Sequence, residues 1–229
     1  VVAALAVGAV VGAGLAVIAD GGGSEPVAVV PPGPDDPDET AAAAAGFLEA
    51  WERSRTATYR SVSTFTRTTA DGTTVSATST LVQRPPDRLV AQGGAVAGWL
   101  DGERRRCDPT PDGVRCQTVD AEGGWAAEVA ADLAVLTGYV TGPRPLYRVA
   151  VDAEGCFRLR LARAVLAPPY GTRARWCFDP ATGAVTRLEV VRREATDVVV
   201  ATEIDPEVTD ADLAALATPP GAGAGPGGG

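Results

Sequence analysis

The sequence predicts an α+β fold, an antiparallel sheet with helices packed on one face. Three observations carry this. Between about residues 57 and 204 the chain is dominated by Thr- and Val-rich runs bounded by Gly, Pro and Asp, the pattern of short strands and turns. Two stretches with helical apolar spacing, at 40–55 and 125–140, divide that series into helix, meander, helix, meander. Helices segregated from runs of strands, with no strict alternation, select an antiparallel α+β arrangement over a parallel one.

The first helix is "TAAAAAGFLEAWERSR", residues 40–55, where Thr40 is a good N-cap and Phe47, Leu48 and Trp51 share one face. Strands are expected at about 57–69 and 73–83, then at 88–92 and 96–106. Asp71-Gly72 lies between the first two, and an Asp-Gly pair between β-branched runs is a strong hairpin signal. Pro85 and Pro86 interrupt the ladder, because neither donates a backbone hydrogen bond. "WAAEVAADLAVLTGYV", residues 125–140, carries the stripe Trp125, Val129, Leu133, Leu136 and Val140. Strands return at about 146–152, 156–163, 172–178, 184–193 and 196–204. A short last helix starts near Thr209, which forms a capping-box-like pair with Asp212.

The flanks read differently. Residues 1–19 hold no charged or polar side chain, and nineteen apolar residues suffice for one helical membrane span. An N-terminal transmembrane anchor is therefore expected, with a cleaved secretory signal as the rival. Residues 20–39, rich in Pro, Gly and acid, are expected to be a linker, and 219–229 a disordered Gly/Pro tail. The folded extracytoplasmic domain then spans 40–218. Either fate of residues 1–19 places it outside the cytoplasm, anchored to the cell membrane or secreted.

The chain contains no His, Lys, Asn or Met. Without His there is no imidazole base, no Ser-His-Asp or Cys-His arrangement and no histidine metal ligand. Without Lys there is no Schiff base and no phosphate-loop lysine. The expectation is a non-enzyme, with no catalytic residue, no metal ligand and no cofactor assigned. Residues 20–39 account for six of the 29 acidic residues, leaving 23 acidic against 20 basic elsewhere. That near balance gives no support for a nucleic-acid partner.

The four cysteines are better read as disulfides than as zinc ligands or a catalytic thiol. Zinc sites show closely spaced ligand pairs, whereas here the gaps within the pairs are wide and no His is present. Nor is an activating base visible. Thr110-Pro111-Asp112-Gly113 suits a tight turn, and a hairpin centred there sets Cys107 opposite Cys116. In "CFRLRLA" Cys156 shares a strand face with Arg158 and Arg160; in "RARWCF" Cys177 shares one with Arg173 and Arg175. Both lie opposite an aromatic and aliphatic face, so neighbouring strands bring Cys156 to Cys177. Of the three connectivities, Cys107–Cys116 with Cys156–Cys177 is the expected one. An even cysteine count suits an exported chain.

The order of an apolar segment, a helix, "ATYRSVSTFTRTTADGTTVSATSTLVQRPPDRLV", "WLDGERRRC…C", "PPYGTRARWCFDPATGAVTRLEV" and a closing "VTDADL" resembles the actinobacterial exported proteins of the LolA/LppX-like superfamily. The resemblance covers nearly all of residues 41–216. It implies an unclosed half β-barrel, a curved antiparallel sheet wrapped over helices. It also implies a cavity that holds lipid acyl chains in carriers, while sigma-factor regulators of the same fold sense lipid or protein signals. The chain departs from the lipoprotein members in lacking a lipid-modified cysteine, and an anchored domain does not ferry cargo far.

Tyr59, Phe65, Val75, Leu81, Leu89, Leu100, Trp125, Val129, Leu133 and Leu136 are the apolar side chains that either line such a cavity or form an ordinary core between sheet and helices. Arg104, Arg105 and Arg106, and the set Arg158, Arg160, Arg173 and Arg175, read as anionic head-group contacts or as a solvated sheet face. Asp210 with Asp212 and Glu203 with Asp205 are most simply helix-end carboxylates. The expected function is membrane-anchored binding of a lipid or other hydrophobic small molecule, for carriage, hand-over or sensing. The alternative is a protein-interaction or envelope-stress sensor domain without ligand, whose partner is an envelope protein.

Overall fold

The structure, a computed structural model, describes residues 39–119 and 121–217. The expected anchor, linker residues 20–38 and the tail lie outside the described residues. No helix among the described residues is long and apolar enough to cross a membrane.

The chain opens with α1 (Ala41–Thr56), followed by six strands: β1 (Tyr59–Thr69), β2 (Thr74–Arg84), β3 (Asp87–Gln92), β4 (Ala95–Leu100), β5 (Glu103–Thr110) and β6 (Gly113–Val119). After α2 (Gly124–Val140) come β7 (Tyr147–Val151), β8 (Phe157–Leu161), β9 (Arg173–Phe178), β10 (Val185–Val191) and β11 (Ala195–Asp205), and the chain returns as α3 (Asp210–Ala217). The strands form one antiparallel sheet in the order β6-β5-β4-β3-β2-β1-β11-β10-β9-β8-β7. Two hairpin meanders are thus joined along a β1–β11 seam. The sheet is unclosed, with β6 and β7 as its edges, as the half-barrel reading requires.

Local chemistry explains most boundaries. The Thr40 hydroxyl accepts the Ala43 N–H at 3.0 Å and starts α1. The single strand expected at 96–106 is two strands, β4 and β5. The chain reverses at Asp101 and Gly102, whose φ angles of 54° and 77° suit the turn of a two-residue hairpin. This second Asp-Gly pair was hidden by the near-continuous run of strand formers around it. At Gly98, φ is 151° and a Cβ would lie 1.9 Å from the Arg88 carbonyl oxygen, so only glycine lets β3 and β4 approach there.

The register assigns faces. Phe157 pairs with Trp176, Leu159 with Ala174, and Trp176 with Leu188, so these side chains share the face that α1 and α2 cover. The alternate set, Arg158, Arg160, Arg173 and Arg175, lies on the other face with Cys156 and Cys177. Both disulfides are present, Cys107–Cys116 and Cys156–Cys177. Glu39, just before the first helix, is buried against Arg160, with Nε to Oε1 at 2.6 Å.

Helices do not all lie on one face. α3 packs on β2, β3 and β4 from the opposite side, where Leu213 meets Val82, Leu89, Val96 and Cys107. The physical reason is parity: Val82 and Leu89 alternate with Gln83 and Arg88, so with the polar pair turned toward α1 and α2 the apolar pair faces outward and needs its own cover. Thr209 and Asp212 cap α3 reciprocally, the Thr209 N–H donating to Asp212 Oδ2 at 2.8 Å.

At the seam, Asp197 of β11 sits directly opposite Arg67 of β1. Its carboxylate accepts two hydrogen bonds from Arg67, at 2.6 and 2.8 Å, and one from Arg192 at 3.1 Å, while only 2% exposed. Burial pushes the Asp197 carboxyl up, but the hydrogen bonds from Arg67 and Arg192 outweigh it and hold it below the usual carboxylate range. A depressed folded-state pKa means that the unfolded chain binds the proton first, so stability falls as pH drops below the ordinary carboxylate value of about 4. Asp197→Asn is expected to cost about 1–3 kcal/mol at neutral pH, because the buried carboxylate loses its charge-assisted bonds while Arg67 stays solvated and Arg192 keeps the Pro169 carbonyl. Urea unfolding at a series of pH values should show the gap from wild type closing as pH falls toward about 3.

Candidate functional site

The candidate site grows from one row of the sheet. Tyr59, Gln83, Arg88, Trp99 and Arg104 are successive cross-strand partners on β1 to β5, all on the face beneath α1 and α2. Above them, Arg55 comes from the last turn of α1, and Trp125, Glu128 and Asp132 come from α2. The Trp125 indole N–H donates to the Arg55 carbonyl oxygen at 3.0 Å. Both buried guanidiniums stack on that indole, Arg55 at 4.3 Å and Arg88 at 5.0 Å from the ring centroid. Two like charges against one ring are tolerated because the ring face is electron-rich and carboxylates stand close by.

Those carboxylates are tied in turn. Arg55 reaches Asp132 at 3.2 Å and Glu128 at 3.9 Å; Glu128 also accepts the Trp99 indole N–H at 2.9 Å and lies 3.7 Å from Arg104. Burial lowers the Arg55 guanidinium, and burial together with the Arg55 charge pulls Arg88 down to about 9. Desolvation raises Asp132 and Tyr59. Every shift is dominated by burial, as expected of a clamp held inside the fold. Tyr59 donates its hydroxyl to the Ser54 carbonyl at 2.9 Å, and Gln83 Nε2 donates to Ser54 and Ala57 carbonyls at 3.1 and 2.7 Å.

Beside this clamp runs a groove of about 860 Å³. One wall is α2, through Trp125, Ala126, Val129, Ala130, Leu133, Ala134 and Thr137; Glu52 and Thr56 of α1 and the Pro85-Pro86 turn form the rest. The lining is almost wholly apolar, and Glu52 is its one ionisable group. A smaller hollow of about 310 Å³ beside Cys156–Cys177 is polar instead, and its Arg175 is bound to Asp152 and Glu154.

The structure divides the ten apolar residues singled out from the sequence. Trp125, Val129 and Leu133 line the groove. Tyr59 and Leu136 are 2% exposed, the first in the clamp and the second in the main core. Phe65 is buried on the helix-bearing face, Leu81 is half-buried on that same face by register, and Val75 is 38% exposed near the β1–β2 hairpin. Leu89 and Leu100 lie on the other face, under α3. Sequence reasoning missed Ala126, Ala130 and Ala134, which flank the apolar stripe of α2 one position along, a signal available in the helical spacing. It also missed Arg55 and Arg88. Their stacking depends on a register that no single segment displays.

Elsewhere the helix-bearing face is filled. Phe47 of α1, fully buried, meets Phe157, Trp176 and Phe178 with ring centroids 5.7, 5.9 and 6.5 Å apart. Tyr170 extends the cluster to Trp176, Tyr147 and Tyr139. Over β8 to β10, the space between sheet and helix is thus occupied by the protein's own rings.

Fold and site together define an open antiparallel sheet, stapled by two disulfides, with an apolar helix-walled groove. Solved structures that the chain is similar to include a LolA superfamily protein from Nitrosomonas europaea, at 7% identity and a TM-score of 0.33, covering 75% of this chain and 96% of that one. A DUF1329 family protein from Desulfovibrio piger matches at 7% identity and 0.30, covering 78% and 99%. A candidate outer membrane lipoprotein-sorting protein domain from Vibrio parahaemolyticus matches at 9% and 0.31, covering 74% and 97%. No protein-family model and no curated protein matches the chain.

Trp125 is the keystone of the clamp. Trp125→Ala is expected to destabilise the domain by about 3–5 kcal/mol, the range for truncating a buried aromatic. Trp125→Phe, which keeps a ring for both guanidiniums, should recover a large part of that loss in chemical denaturation.

Proposed function

We propose that this chain is an extracytoplasmic, non-enzymatic domain that holds a lipid or other hydrophobic small molecule in the groove walled by α1 and α2. In this reading residues 1–19 tether it to the cell membrane and residues 20–38 give it reach. The observation that carries the reading is the groove itself. Its volume of about 860 Å³ falls within the roughly 300–1,000 Å³ of small-molecule sites, which are mostly apolar with a few polar groups. The alanines of α2 keep it open where larger side chains would close it. Disulfides in both meanders support an oxidising compartment.

A second reading, a protein-interaction or stress-sensing domain without ligand, is favoured by the aromatic packing over β8 to β10. That packing fills the inner face there with the protein's own rings.

Organic extraction of the purified chain followed by mass spectrometry is expected to recover lipid in stoichiometric amount. Ala130→Phe, which places a ring in the groove from an exposed helix position, should lower the affinity for a fluorescent acyl probe by on the order of tenfold. Its unfolding free energy should stay within about 0.5 kcal/mol of wild type. A clean extract together with probe binding unaffected by Ala130→Phe sinks the reading, and recovery of one envelope protein by pulldown then favours the second.

A further inference from the structure

The two edges of the sheet are not equivalent. At the β7 edge the chain covers itself: the Thr40 N–H donates to the Val149 carbonyl at 3.0 Å, and Glu39 beside it binds Arg160. At the β6 edge, among the described residues, no backbone hydrogen bond outside the β5–β6 ladder reaches residues 113–119. An uncovered edge is a row of unmet donors and acceptors, which proteins ordinarily blunt with charge, proline or a covering segment. β6 has no proline, and its one charged residue is Arg115.

The register says which groups face outward. Thr110 and Gly113 close the hairpin, and Cys107 pairs with Cys116 at a Cα separation of 4.0 Å. That short spacing belongs to an antiparallel pair that exchanges no ladder hydrogen bonds. The N–H and C=O of Cys116 therefore point away from β5, and by alternation so do those of Val114 and Thr118. Arg115, Cys116, Gln117 and Thr118 are all exposed.

We propose that β6 pairs antiparallel with β6 of a second copy of this chain, about a two-fold axis at Cys116, continuing the sheet across the dimer. In that register Val114 faces Thr118 of the second copy, and Arg115 faces its Gln117. The pattern is self-complementary: the single charge of the strand meets an amide, and no two arginines stand directly opposite. Cys116 occupies the axis with its sulfur committed to Cys107, so the contact needs no thiol chemistry. The isologous geometry closes at two copies. One strand pair buries little area, so the dimer is weak and concentration-dependent.

Sedimentation of the full chain over about a thousandfold concentration range is expected to show monomer passing to dimer. Hydrogen exchange should show the Val114, Cys116 and Thr118 amides slowing as concentration rises. Gln117→Glu, which sets a carboxylate against Arg115 of the second copy, should tighten the dimer by about threefold or more. Gln117→Arg should loosen it by a similar factor. Thr118→Pro removes an outward N–H without touching the β5–β6 ladder and should leave a folded monomer, with both disulfides and the circular dichroism spectrum retained. Monomer at every concentration overturns the proposal, as does a dimer whose three outward amides stay unprotected or whose affinity ignores the charge at position 117.

Discussion

The last turn of α1 presents carbonyl groups that the helix itself cannot satisfy, and the way they are met fixes where both inner helices lie. Ser54 accepts from Tyr59 and Gln83, Ala57 from Gln83, and Arg55 from Trp125. Side chains of β1, β2 and α2 thus converge on a single helix end. Buried polar groups carry a high penalty when unpaired, so displacing α1 along the sheet breaks several bonds together. The groove inherits its position from this junction, because Trp125 both closes the junction and begins the groove wall.

The same junction shows why arginine, the only basic residue in the chain, suits its place. A guanidinium is flat and presents its donors in a fork, so Arg55 can stack on an indole while bonding a carboxylate in the ring plane. A lysine ammonium would meet one demand or the other. On the outer face arginines are used differently: Arg175 and Arg187, partly exposed, pair with Asp152, Glu154 and Glu189, and Arg160 lies largely covered against Glu39. The outer charges are largely answered locally, which agrees with a solvated sheet surface more than with a dedicated anion site.

Much of this architecture is legible from sequence, and the rest is hidden for definite reasons. Strand alternation and turn chemistry disclose the meanders, and face parity sets Cys156 and Cys177 on one face, opposite Trp176 and Phe178, so that the pairing of neighbouring strands β8 and β9 joins them. The break at Asp101-Gly102 is masked, because Trp99 and Leu100 before it and the arginines after it read as one strand. For the site, helical spacing finds Trp125, Val129 and Leu133. It does not find Arg55 and Arg88, whose neighbours are set by strand pairing. Leu89 and Leu100 are apolar by any measure, yet parity cannot say which helix covers which face. The short α3 gives little sequence warning that it lies outside.

The position of α3 has a consequence for how the molecule comes apart. Apolar packing on the inner face is concentrated under α1 and α2 toward β7–β10, and on the outer face under α3 over β2–β4. Between them, β1 and β11 carry Thr64, Thr66, Val198 and Val200 outward, none of them buried. Each end of the sheet has its own crosslink, Cys107–Cys116 at one and Cys156–Cys177 at the other. The domain therefore carries a second apolar cluster that holds only α3, on the side of the sheet away from α1 and α2. Sub-global openings begin where the fewest groups are shared, so α3 can lift from the sheet while the inner core stays closed.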